Sequence, residues 1–132
     1  MKELSIPSVE LAKSLTRELG PEEQLIGMKM SVMGGVNPSP LFSLSMTASF
    51  LQAGTYEEAI APNSRATIGY IDPSALVRWV RGVFGDQELA DALQECVDTE
   101  EPFGLIAADM RELLMQRYLQ CMDVLKDPQE VS

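Results

Sequence analysis

Apolar residues keep a helical spacing from about Pro102 to Leu125, and they fill two stripes of that helix. Phe103, Ile106, Ala107, Met110, Leu114, Tyr118, Cys121 and Leu125 make the first stripe. Ala108, Met115, Leu119 and Met122 make the second, with Leu105 and Leu113 between. A surface helix needs one apolar stripe, so a girdle this wide demands cover on two sides. Either the helix is central to its own domain, or its second flank is buried against another chain. A two-fold contact uses the same patch twice and needs no extra sequence. The expectation is a homodimer with Met115, Leu119 and Met122 in the interface.

The rest of the chain reads as elements to pack around that helix. Leu11, Ala12, Leu15 and Leu19 share one face of a helix from about Ser8 to Leu19, stopped by Gly20 and Pro21. Ile26, Met28, Met30 and Val32 then alternate with other residues, as do Phe42, Leu44, Met46, Ala48 and Phe50. Period two predicts two strands joined through the Gly/Pro-rich stretch Gly34 to Pro40, with an outer polar face that includes Lys29, Ser43, Ser45 and Thr47. Thr55-Tyr56-Glu57-Glu58 fits a capping box for a short helix over Tyr56 to Ala61. Arg65 to Ile71 reads as a third strand. Asp72-Pro73 starts the next helix, Gly85 stops it, and Asp86 caps another that carries Leu89, Ala92, Leu93, Cys96 and Val97 inward. The expected fold is a single α+β domain over residues 1–132. A three-stranded antiparallel meander has an N-terminal helix and three C-terminal helices, and residues 126–132 form a frayed tail.

Charge narrows the choice of partner. The chain carries 10 basic and 20 acidic residues, a net charge of −10, which disfavours nucleic acid and anionic membranes. Acids concentrate between Asp86 and Asp109, with no basic residue between Arg81 and Arg111. Glu88, Asp91, Glu95 and Asp98 step by three, four and three, which stacks them on one helix edge at a cost of a few tenths of a kcal/mol per like-charge pair, roughly. That edge is a docking surface for a basic partner, or else a solvated face that keeps the protein soluble. No apolar run approaches the roughly 18 residues of a membrane span, and no secretory signal layout is present, so the expected compartment is the cytoplasm.

Histidine is absent, which removes Ser-His and Cys-His nucleophiles and imidazole acid/base work together. The glycine stretch at 34–35 lacks the phosphate-loop pattern and leads into an expected strand. Cys96 and Cys121 match neither a redox pair nor half of a zinc site, so they read as reduced, buried thiols. No cofactor or metal is expected. Size, acidity and the helix-then-strands opening resemble, at the level of fold, small acidic secretion chaperones. The combined expectation is a non-enzymatic accessory, adaptor or chaperone-like protein that is homodimeric and docks a basic or apolar partner surface. The second possibility is a small-molecule-binding or catalytic domain using the polar hairpin face, with Lys29, Ser43, Ser45, Thr47 and Arg65 around the ligand.

Overall fold

A computed structural model describes residues 4–31, 35–51 and 67–126. Helix α1 spans Val9–Thr16, with the Ser8 hydroxyl accepting from the Leu11 amide. It ends before Leu19 because Arg17 is already extended, at φ −76° and ψ 156°. Leu19 stays buried, and its N–H donates to the Phe42 carbonyl at 2.8 Å. A 3-10 turn at Pro21–Glu23 leads into strand β1, Leu25–Ser31.

The expected meander is overturned here. Strand β2 is Gly35–Leu41, the stretch assigned from sequence to the loop, and it pairs antiparallel with β1 from Leu25↔Leu41 to Ser31↔Gly35. Pro38 and Pro40 sit at positions of the same parity, so one edge of β2 lacks both donors, which an edge strand tolerates. The four-residue strand β3, Thr67–Tyr70, adds to the far side of β1, giving the order β2-β1-β3. The sheet is thus a two-stranded hairpin with a short strand beside its first member. Burial also follows the other parity from the one expected: Leu25 and Gly27 point inward, whereas Ile26 is 54% exposed.

The expected second strand over 42–50 is helix α2, Leu44–Phe50, with Ser43 at its N-cap. Leu44, Thr47, Ala48 and Leu51 are the buried residues, at the spacing i, i+3, i+4, i+7. Phe50 lies over Gly27, where an added Cβ would come within 2.7 Å of the ring. Absence of a side chain at 27 is what lets α2 close on the sheet. The expected short helix at Tyr56 to Ala61, and Arg65, lie outside the described residues.

Helix α3, Pro73–Trp79, is capped by Asp72 and continues as a π-helical turn over Val80–Phe84. Gly85 at φ +74° then reverses the chain, a left-handed conformation that glycine adopts without strain. Side chains of α1 and its C-cap satisfy carbonyls of the π turn: Ser14 Oγ donates to Phe84, and Arg17 Nη2 donates to Val83. Helix α4, Gln87–Asp98, begins at the Asp86 cap, and α5 runs from Phe103 to Lys126. One N-terminal and three C-terminal helices are therefore replaced, among the described residues, by five α-helices with α2 inserted after the hairpin. Helix α5 packs against α1, α2 and α4 together, with Met110, Leu114 and Cys121 fully buried beneath them.

Candidate functional site

Three neighbouring helices do not cover α5. Leu119 is 57% and Met122 44% exposed, Met115 is half-buried, and Leu105 stands out further up the same helix. The second stripe read from sequence therefore forms an open flank. It borders a groove of about 300 Å³ between α1, α2 and the end of α5. Leu15, Leu44, Tyr118, Met122 and Leu125 give that groove apolar walls. Two of its hydroxyls serve the backbone: Thr16 donates to the Ala12 carbonyl, and Ser43 caps α2. A volume at the lower limit of ligand pockets, with no ionisable carboxylate or amine in its walls, suits one or two apolar side chains from another protein.

The acidic edge is divided. Asp91 pairs with Arg81 at 3.0 Å on the surface, and Asp98 accepts from Gln94, which leaves its charge uncompensated. Burial pushes the Cys96 thiol up, and the Asp109 and Glu95 carboxylates push it further, so acids from α4 and α5 converge there. Glu88 turns away from this group. Its carboxylate accepts from Arg117, from the Ser5 amide and from the Ser5 hydroxyl.

Arg117 is the feature the sequence reading missed. It is 1% exposed, and all five of its N–H donors find acceptors. Nε and Nη2 reach the two Asp86 oxygens at 2.8 and 3.4 Å, Nη2 reaches Glu88 at 2.7 Å, and Nη1 reaches the Ser5 carbonyl and Gln120. Gln120 in turn donates to the Leu4 carbonyl. The cluster closes the N-terminal segment onto α4 and α5, and Asp86 both caps α4 and neutralises the arginine. One arginine among the inward positions of α5 was the available signal, since a buried guanidinium requires a buried acid.

Lys29, Ser43, Ser45 and Thr47 do not share a sheet face. Lys29 is exposed on β1, opposite Asn37, whereas Ser43, Ser45 and Thr47 belong to α2 or its cap, and Thr47 is buried and donates to the Ser43 carbonyl. Arg65 lies outside the described residues. Both cysteines are free thiols, and burial pushes Cys121 up to about 11. Among the described residues, no group of three acids or cysteines converges on a point that would hold a metal ion, and no helix is long and apolar enough to cross a membrane. Compared with known proteins, the chain matches no family model, no curated protein and no solved structure.

Proposed function

We propose that the protein is a homodimeric, non-catalytic accessory protein of the cytoplasm that engages a protein partner. One observation carries this reading: α5 is packed on three sides by its own chain and still presents Leu119 and Met122 to solvent. Exposed apolar residues scattered singly are ordinary, and two on one flank beside an apolar groove support reading it as an association surface. A second copy covers the flank. The groove edged by Tyr118, Met122 and Leu125 then takes an apolar side chain of the partner, and Asp98, Glu95 and Asp109, elsewhere on α4 and α5, offer an acidic surface for a basic segment. Light scattering on purified wild-type protein at tens of micromolar tests the first element. Twice the chain mass is expected, falling toward the chain mass on dilution. The chain mass at every concentration contradicts the reading.

A further inference from the structure

The exposed flank of α5 carries its own register marks. Glu112, Leu119 and Lys126 are spaced by seven residues, so they fall in one column along the helix, and all three are exposed. Glu112 and Lys126 form no ion pair within the chain among the described residues. Met115 and Met122 lie four before and three after Leu119 and border it on one side.

We infer that two copies pair through α5 in an antiparallel arrangement whose two-fold axis passes beside Leu119. This rests on the homodimer proposed above and adds its geometry. In such a pairing, a residue seven before the axis meets the residue seven after it. Glu112 therefore faces the partner's Lys126, and Lys126 faces the partner's Glu112. The two ion pairs lie about 10.5 Å to either side of the axis, at a rise of 1.5 Å per residue. Leu119 meets its own copy between them, with the methionines closing around it.

Charge decides against the parallel alternative. A parallel two-fold brings every residue of the column onto itself, so Glu112 meets Glu112 and Lys126 meets Lys126. Each chain already carries −10, and like charges placed face to face add local repulsion to that of the whole molecule. The antiparallel register converts the same four charges into two attractive pairs.

The test is a charge exchange read by sedimentation equilibrium at low salt. Glu112→Lys should raise the dimer dissociation constant roughly 10- to 30-fold, because each substitution acts at both symmetric contacts. It also reduces the magnitude of each chain's net charge, from −10 to −8, since one negative charge becomes positive, so general repulsion falls. Weakening must then come from the local contact. Glu112→Lys combined with Lys126→Glu should return the constant to within a few-fold of wild type. A wild-type dimer that Leu119→Asp dissociates but Glu112→Lys leaves unchanged overturns the antiparallel register and leaves the homodimer standing. A wild type that is monomeric at high micromolar concentration overturns both.

Discussion

Replacing Arg117 by methionine keeps most of the side chain's volume and removes the five guanidinium donors of the buried cluster, its one cation. Asp86 is 1% exposed and would keep a carboxylate with no cation, and the Ser5 carbonyl would lose its 2.6 Å contact. Breaking a buried ion pair by deleting one partner costs about 3–5 kcal/mol, most of it from the stranded charge. For a chain between the small and mid-sized classes, that corresponds to a fall in Tm of roughly 10–20 °C. Wild-type stability also depends on pH through Glu88. Burial pushes its carboxyl up, hydrogen bonds from Ser5 and Arg117 outweigh burial, and the net direction is down. Its contribution is present above about 4.3 and lost as pH falls through the lowered value. Urea unfolding of Arg117→Met, Asp86→Ser and the double variant gives the coupling; serine keeps the cap of α4. We expect the double variant to recover about half the loss of Arg117→Met, with a coupling of about 1.5 kcal/mol or more. A loss below about 1 kcal/mol in Arg117→Met would refute a desolvated, charge-paired cluster.

Gly27→Ala should cost about 1–2 kcal/mol in thermal unfolding through overpacking, since the new Cβ meets Phe50 at 2.7 Å, and Phe50→Leu should restore part of it. A neutral Gly27→Ala would mean that the ring has room to move. On the acidic edge, Glu88→Gln should destabilise by about 1–2 kcal/mol because it weakens the Arg117 cluster, whereas Asp98→Asn should stabilise by a few tenths, roughly. Equal effects at the two places would contradict the division of the edge seen here. Alkylation of Cys121 at pH 8 should run far below a free-thiol rate, in keeping with a thiol pushed up to about 11 by burial, and fast labelling of the folded protein would contradict its placement.

Punctuation was the most legible part of the sequence. Ser8, Asp72-Pro73, Gly85 and Asp86 mark helix ends where the structure has them, because caps act locally. Alternation misled between 42 and 50. Phe42, Leu44, Met46, Ala48 and Phe50 satisfy period two, while Leu44, Thr47, Ala48 and Leu51 satisfy the helical period in nearly the same residues. Ser43 was the arbiter, a cap whose hydroxyl takes the Met46 amide. Reading that segment as a strand made its neighbour a loop, and Pro38 and Pro40 reinforced the error although an edge strand accepts them. The β3 pairing with β1 has no local signal, and for the Arg117 cluster the sequence offers an inward arginine but not its partners. Both join residues far apart in the chain, 31 positions in the case of Arg117 and Asp86. The wide apolar girdle of α5, by contrast, was visible in the residues, and the structure shows both of its sources: three packed neighbours and an open flank.

Whether a second copy covers that flank can be measured by sedimentation velocity on wild type and Leu119→Asp over a dilution series, with circular dichroism on the same samples. Leu119 is 57% exposed within its own chain, so an aspartate there disturbs nothing inside the fold, yet it places a charge on the two-fold axis opposite its own copy. The predicted result is a wild-type dimer and a folded Leu119→Asp monomer with an unchanged dichroism spectrum. A wild type that sediments as a monomer at high micromolar concentration, or a Leu119→Asp chain that unfolds, would contradict it.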